Sequence, residues 1–306
     1  MLKAESIGPF SSILVPYDGS EPSRAALSHA LALMQAGDTL VVVTVVDDAA
    51  RISASATTTS AYDPTLMFEA FEAPGKAVLA EAVSRCAAAN VMPVTELLPG
   101  ASVSGILATL EKHACDLIVM GTHARTGVAR MFLGSTTEAV LRSSNIPVLT
   151  IRSTHAAESH PFATALLGID DSAASDAAVA VAAKLVQSYK TRIVACHAIN
   201  TIELYEDAAS YPFDLDEVLD EMRSEGAAIV ARSLKCASIE AAAVTVTIVD
   251  GRPATVLLEA AQQHQATVIV LGSHGRRGVR RFFLGSVAEE VVRGSDVPVL
   301  VVREAL

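Results

Sequence analysis

Two glycine-containing loops carry the residues of this sequence that could do chemistry. One loop has Gly121–Ala124 (Gly-Thr-His-Ala), nine further residues and then Gly134–Ser135, and the other has Gly272–Gly275 (Gly-Ser-His-Gly), nine residues and then Gly285–Ser286. Glycine permits positive φ and lets the main chain approach a ligand closely. Each Gly-Ser pair precedes a predicted helix, and the N–H groups and dipole at a helix start favour a bound phosphate. The spacing therefore predicts two phosphate-binding loops.

A simpler interpretation is that each Gly-Ser pair only begins a helix, with the serine hydroxyl as its cap. A single pair would favour that simpler interpretation. Two spaced pairs that occur twice, each after an apolar strand, favour phosphate binding. The loops are not P-loops, because the pattern GxxxxGK[ST] is missing, and no GxGxxG follows the first predicted strand of either half.

The loops lie in an internal repeat. Leu117–Arg152 aligns without a gap onto Val268–Arg303 at an offset of 151, with 20 identities in 36 positions. Near the start of each half, Asp18 aligns with Asp170 at an offset of 152. A repeat of this length indicates a duplicated domain. We predict one domain over residues 1–153 and a second over residues 160–306, with the boundary in a polar stretch.

Each half alternates short apolar runs with helical patterns, which predicts an α/β fold. The chain has 306 residues, of which 51% are hydrophobic and 4% aromatic, so Val, Leu, Ile and Ala must form the core. Strands of this kind indicate a parallel sheet covered by helices on both faces, in a doubly wound order. Ligands bind such sheets at the carboxyl ends of strands. Asp18 and Gly121 both fall at such ends.

Charge and hydropathy exclude several classes. The net charge of −11 argues against a protein that binds nucleic acid. The longest apolar run, Leu40–Val46, is far shorter than the roughly 18 residues of a membrane-spanning helix. The four cysteines form no CxxC pair, so we expect buried, reduced thiols and a cytoplasmic location.

Histidine and arginine side chains in the loops leave two interpretations open. His123 and His274 could contact phosphate or transfer a proton, or they could be loop residues held by a backbone hydrogen bond. Arg276, Arg277, Arg280 and Arg281 could attract a triphosphate or be solvated. No catalytic triad or HExxH motif is present, so we do not expect an enzyme, although slow ATP hydrolysis stays open.

The glycine pattern and its flanking strands resemble the universal stress protein family over nearly the whole chain, twice. That resemblance implies a Rossmann-like, adenine nucleotide alpha hydrolase-like fold of two tandem five-stranded sheets, each with strand order 3-2-1-4-5. It implies ATP as the ligand, with or without Mg²⁺, and a regulatory role in the stress response. The alternatives are a weak ATP hydrolase or a nucleotide-free dimerising scaffold.

The resemblance also assigns the nucleotide contacts of each repeat. In the first repeat they are Pro16, Asp18, Val45, Gly121, Thr122, His123, Ala124, Arg125, Gly127, Gly134, Ser135 and Thr136. In the second repeat they are Gly168, Asp170, Ala198, Gly272, Ser273, His274, Gly275, Arg276, Gly278, Gly285, Ser286 and Val287.

Two departures from the family pattern affect these sites. Ala124 stands where the second repeat has the glycine of the motif, and its methyl group could crowd a phosphate. Asp171 stands where the first repeat has Gly19, and its carboxylate would repel phosphate unless Mg²⁺ lies between them. We expect the second site to be the better preserved.

The predicted partners are an adenine nucleotide and an unidentified regulatory protein. The strands that close the two halves, Pro147–Ile151 and Pro298–Val302, would each leave an open sheet edge. Pairing of these edges would join the repeats into an intramolecular pseudo-dimer, as the resemblance also implies. A further homodimer is expected.

Overall fold

The chain contains two compact α/β units, one formed by each repeat. A computed structural model describes residues 9–46, 64–122, 133–152, 160–201, 215–275 and 284–304. The first unit is built on the strands of the first repeat and the second unit on those of the second repeat.

The first unit has five strands and four helices in the described residues. In chain order they are β1 (Ser12–Pro16), α1 (Glu21–Leu33), β2 (Thr39–Val46), α2 (Pro64–Ala88), β3 (Val94–Pro99), α3 (Ser102–Lys112), β4 (Leu117–Thr122), α4 (Ser135–Ser143) and β5 (Val148–Arg152). The strands lie in the order β3-β2-β1-β4-β5. All pairs are parallel, as in Ile13 opposite Leu40 and Leu117.

The second unit repeats this arrangement. Its elements are β6 (Thr164–Gly168), α5 (Ala173–Tyr189), β7 (Arg192–Ile199), α6 (Leu215–Cys236), a short 3₁₀ helix (Ala241–Ala243), β8 (Thr245–Asp250), α7 (Pro253–Gln263), β9 (Val268–Gly272), α8 (Ser286–Gly294) and β10 (Val299–Val302). The strand order is β10-β9-β6-β7-β8. Numbered within the unit and read from β8, this order is 3-2-1-4-5, as in the first unit. The predicted doubly wound α/β fold is confirmed.

Apolar strands covered by helices form the core of each unit. Leu14, Val15, Val41 and Val42 in the first unit are completely buried, as are Leu166 and Val194 in the second. Such nearly continuous Val, Leu and Ile strands are typical of parallel sheets covered on both faces. Within the described residues, no helix is both long enough and apolar enough to cross a membrane.

The Asp-x-Ser sequence after the first strand of each unit begins a helix. Asp18 Oδ1 accepts a hydrogen bond from the Ser20 N–H (2.9 Å), and Ser20 Oγ caps α1 by accepting from the Ser23 N–H (3.3 Å). In the second unit Ser172 Oγ caps α5 in the same way, 3.1 Å from the Ser175 nitrogen. These local bonds hold Asp18 and Asp170 at the carboxyl ends of β1 and β6.

Three of the four cysteines follow the expectation of buried thiols. Cys86, Cys115 and Cys196 are buried, and burial raises the pKa of Cys196 to about 12. The expectation is wrong for Cys236, which is exposed at the end of α6. All four thiols are free.

An ion-pair cluster joins α1 to α2 and predicts a pH dependence of stability. Glu81 accepts two hydrogen bonds from Arg24 (2.6 and 3.0 Å) and one from Arg85 (3.0 Å). The Arg24 and Arg85 hydrogen bonds lower the pKa of Glu81 to about 2 from an ordinary value of 4.5. A depressed carboxyl pKa stabilises the folded state above the unfolded-state pKa, and this contribution is lost as pH falls through the folded-state value.

We therefore expect Glu81→Gln to lower the urea midpoint at pH 7. The difference from wild type should stay constant down to about pH 4.5 and close between pH 4.5 and 2. Urea titrations of both proteins across this range measure it. A difference that does not change between pH 7 and 2 would contradict the assignment to the Glu81 carboxylate.

Candidate functional site

The predicted loop residues of the second unit meet at one cavity of about 670 Å³. The ten predicted residues that the structure describes all line it: Gly168, Asp170, Ala198, Gly272, Ser273, His274, Gly275, Gly285, Ser286 and Val287. Arg276 and Gly278 lie outside the described residues, as do the other loop arginines. The cavity opens at the carboxyl ends of β6, β7 and β9, which is where a doubly wound sheet binds ligands.

The N-terminus of α8 faces this cavity without a side-chain cap. Gly285 is the N-cap residue, and no side chain accepts a hydrogen bond from the first turn. Ser286, Val287 and Ala288 line the cavity, and none of their N–H groups donates a hydrogen bond within the described part of the chain. Each Gly-Ser pair does begin a helix, as the simpler interpretation expects, but the N-cap residues are Gly134 and Gly285, and the serine hydroxyls are not the caps. Such unsatisfied N–H groups, together with the helix dipole, suit an anion.

Close packing, and not positive φ, explains the first glycine of each loop. Neither Gly121 nor Gly272 has positive φ. A Cβ on Gly272 would lie 2.6 Å from the Ala174 carbonyl carbon, and one on Gly121 would lie 2.4 Å from that of Pro22. In both units the loop strand is pressed against the backbone of the first helix, so a side chain would force the two apart. The expectation that these glycines serve to give the loop positive φ is wrong.

At Gly275 and Gly285 in the second unit, a neighbouring carboxylate or backbone oxygen lies where a side chain would be. A Cβ on Gly275 would lie 2.7 Å from Asp170 Oδ2, and one on Gly285 would lie 3.1 Å from the Ser273 carbonyl oxygen. Asp170 Oδ1 accepts from the Ser172 N–H (3.1 Å) and lies 2.6 Å from the Ser172 hydroxyl. The Asp170 carboxylate is therefore fixed beside the glycine loop.

His274 is a loop histidine held mainly by its neighbours. Its Nδ1 lies 2.9 Å from Ser273 Oγ, and its carbonyl oxygen lies 3.1 Å from the Ser172 hydroxyl. Burial lowers the pKa of His274, and the nearby charge of Arg303 lowers it further, which favours the neutral ring. Its Nε2 is buried without a hydrogen-bond partner among the described residues. This arrangement fits the loop interpretation better than proton transfer. His123 lies outside the described residues.

Asp171 does not face the cavity. It has positive φ (66°), as Gly19 has at the matching position (74°). Its carboxylate forms an ion pair with Arg232 of α6, and Asp171 is not among the residues that line the cavity. The carboxylate that is expected to repel phosphate is thus paired with Arg232 and lies outside the lining of the cavity.

The matching cavity of the first unit is much smaller, about 110 Å³. Of the predicted residues, Pro16, Asp18, Val45, Gly121 and Thr136 line it. Thr122, Gly134 and Ser135 are described but do not line it, while Ala124, Arg125 and Gly127 lie outside the described residues. Burial opposes ionisation of Asp18, but hydrogen bonds from Ser20 outweigh it and lower the Asp18 pKa.

Several larger side chains line the smaller cavity. At four wall positions the first unit carries the larger residue: Pro16 where the second unit has Gly168, Tyr17 for Ile169, Val45 for Ala198, and Thr137 for Ala288. Val45 packs against α3 so closely that a Cβ on Gly105 would lie 2.7 Å from its methyl group. The first cavity therefore has bulkier side chains than the second at these four wall positions.

Sequence reasoning missed the helix that forms one wall of the large cavity. Met222, Glu225, Gly226 and Ile229 of α6 line it, as does His197 of β7. The α6 segment carries no motif that distinguishes these residues. Their role depends on where the helix packs.

Comparison with known proteins identifies the family. The family model of the universal stress protein family matches residues 9–152 and again residues 161–303. The chain belongs to the universal stress protein family. Both described cavities thus lie in universal stress protein domains.

Curated relatives agree with this assignment, and a solved structure shares the fold. A universal stress protein of Mycobacterium tuberculosis is 31% identical over 194 residues, a match that covers 63% of each protein. Another from Mycolicibacterium smegmatis is 31% identical over 204 residues, or 66% of each. The crystal structure of a universal stress protein from Archaeoglobus fulgidus has a TM-score of 0.67 at 24% identity and covers 97% of both chains, which shows the fold.

Proposed function

We propose that this protein binds an adenine nucleotide, such as ATP, in the cavity of its second unit. The observation that carries the proposal is the uncapped N-terminus of α8, which opens into a cavity of about 670 Å³. Small-molecule sites typically have volumes of about 300–1,000 Å³. The helix N-terminus suits the phosphates, and the remaining cavity suits a nucleoside.

The loop glycines support phosphate binding at this end of the cavity. Gly275 and Gly285 bring the main chain close to Asp170 and Ser273, and neither leaves space for a side chain. The Gly285 N–H already donates to the Ser273 carbonyl oxygen (2.8 Å), so a phosphate at this end would be bound by the uncapped first turn of α8. The family resemblance implies the same ligand and the same loop.

We propose that any Mg²⁺ at this site binds together with the nucleotide. Within the described ranges, no group of three or more His, Cys, Asp or Glu side chains is arranged to hold a metal ion. Mg²⁺ would therefore be held mainly by phosphate oxygens and water, which is its usual coordination in nucleotide sites.

The first unit fits a nucleotide-free role better. Its cavity of about 110 Å³ is below the range of small-molecule sites. Pro16, Tyr17, Val45 and Thr137 line it, where the second unit has the smaller Gly168, Ile169, Ala198 and Ala288. We propose that the first unit is a scaffold and that the chain binds one nucleotide. The cytoplasmic location, the pairing of the repeats, the homodimer and the regulatory partner stay predictions from the sequence.

Isothermal titration of the full chain with ATP, with and without Mg²⁺, tests the proposal. We expect a saturable isotherm and an increase of the melting temperature with ATP concentration, since a ligand that binds only the folded state stabilises it. Absence of both heat and stabilisation at millimolar ATP would overturn nucleotide binding.

A further inference from the structure

His197 has an unused nitrogen at the cavity, although the side chain is almost fully buried. It lies on β7, is 9% exposed and lines the cavity of the second unit. Its Nδ1 lies 2.7 Å from the carbonyl oxygen of Ile169. A carbonyl oxygen only accepts hydrogen bonds, so Nδ1 carries the proton and donates. In the neutral ring, Nε2 is then an acceptor.

The Nε2 atom has no partner within the described part of the chain. The bond to Ile169 is the one hydrogen bond of His197 there. Nε2 is not among the fully enclosed side-chain atoms that lack a partner, and His197 lines the cavity, so we infer that a ligand in the cavity can reach Nε2. A nearly buried acceptor that is open only toward a cavity suits a donor group on a ligand.

Gly226 of α6 makes room for this ring. A Cβ at Gly226 would lie 2.7 Å from His197 Cδ2 and 3.3 Å from Nε2. Any side chain there would displace the imidazole or cover its Nε2 edge. Helix α6 therefore leaves the acceptor open.

The first unit has a threonine at the matching position. Thr44 Oγ1 donates to the Tyr17 carbonyl oxygen at 2.7 Å, which reproduces the hydrogen bond that His197 makes. Thr44 thus donates to the matching backbone carbonyl, but it has no ring nitrogen that could accept a hydrogen bond from a ligand. The additional acceptor belongs to the second unit, which is the unit with the large cavity.

The strand order places His197 at the end of the cavity away from α8. Helix α8 follows β9, and β6 lies between β9 and β7. Neighbouring strands are about 4.8 Å apart, so β7 lies about 10 Å from β9. A ligand whose phosphates lie at α8 would bring its nucleoside part toward β7.

We propose that His197 Nε2 recognises the nucleoside by accepting a hydrogen bond from one of its donors. This inference rests on the proposed nucleotide site and names a residue that selects the ligand there. The donor is a ribose hydroxyl or the exocyclic amino group of adenine. His197 thus makes the second unit prefer ligands that carry this donor.

The test is a set of titrations with nucleotide analogues. ATP, 2′-deoxy-ATP, 3′-deoxy-ATP and inosine triphosphate are titrated into wild type and His197→Thr, because threonine keeps the carbonyl bond in the first unit. We expect wild type to bind one analogue about five- to tenfold more weakly than ATP, as for loss of one hydrogen bond. His197→Thr should bind ATP about five- to tenfold more weakly than wild type does. The variant should bind ATP and that analogue with equal affinity.

The outcomes separate this inference from the proposed site. If wild type binds ATP and all three analogues equally, the inference fails while the nucleotide site stands, and this result needs no variant. If His197→Thr binds ATP as tightly as wild type, the inference fails in the same way. If wild type binds no nucleotide at millimolar concentration, the proposed function itself fails. Thr44→Ser, which keeps a hydroxyl in the first unit, is the matched control and should change no affinity.

Discussion

Ser286→Asp is expected to weaken ATP binding by about 10- to 100-fold, which corresponds to about 1.4–2.7 kcal/mol. Ser286 is the first residue of α8, and it lines the cavity together with Val287 and Ala288. An aspartate there would place a carboxylate at the helix N-terminus and repel the nucleotide phosphates. The same carboxylate should stabilise the helix by about 0.3–1 kcal/mol through the dipole. Isothermal titration and thermal melting measure the two effects.

Ser135→Asp is the matched control for this variant. Ser135 begins α4 in the first unit, after a glycine N-cap that also lacks a side-chain bond. This variant should gain similar helix stability and keep the ATP affinity of wild type. Equal loss of affinity in both variants, or no loss in Ser286→Asp, would contradict a nucleotide site confined to the second unit.

Gly272→Ala should destabilise the protein in the absence of any ligand, by about 1–3 kcal/mol. The new Cβ would lie 2.6 Å from the Ala174 carbonyl carbon and 2.7 Å from the Ser175 nitrogen. Both atoms belong to the backbone at the start of α5, which cannot rotate away as a side chain can. Urea unfolding without nucleotide measures the effect. Gly121→Ala should behave alike in the first unit, where the Cβ would meet Pro22.

Gly168→Ala is the control for this prediction. Gly168 also lines the cavity, but a Cβ there would meet the side chain of Leu257 at 3.2 Å, and that side chain can shift. We expect little change in its urea midpoint. If Gly272→Ala had the same urea midpoint as wild type without nucleotide, the packing explanation for Gly272 would be wrong.

The sequence predicted the fold well because its signals are local and occur twice. Apolar runs such as Leu40–Val46 and Val268–Leu271 give the strands, and the alignment of Asp18 with Asp170 shows that one topology occurs in both halves. Doubly wound connections then restrict the strand order. The position of the glycine loops at strand ends follows from the same alternation.

The details of the site depend on contacts between distant residues, which spacing does not reveal. The pairing of Asp171 with Arg232 spans 61 residues and gives the carboxylate a cationic partner. The need for glycine at position 272 arises from the backbone of α5, about a hundred residues earlier in the chain. The open Nε2 of His197 depends on the packing of Gly226. No local sequence motif predicts any of these three contacts.

The unequal cavities were only partly foreseeable. Ala124 in place of a motif glycine indicated a weaker first site, but it lies outside the described residues. The structure gives other reasons, such as Val45 in place of Ala198 and Pro16 in place of Gly168. Both substitutions add side-chain volume, and their effect on the cavity is visible only once the fold brings them to one small space.

Native mass spectrometry of the full chain in the presence of ATP tests the central claim most directly. Counted per chain, we expect a single added nucleotide at saturation, because one described cavity has the volume of a ligand site. The added mass should disappear in Ser286→Asp and persist in Ser135→Asp. Two nucleotides per chain, or none, would contradict the assignment of a single nucleotide site to the second unit.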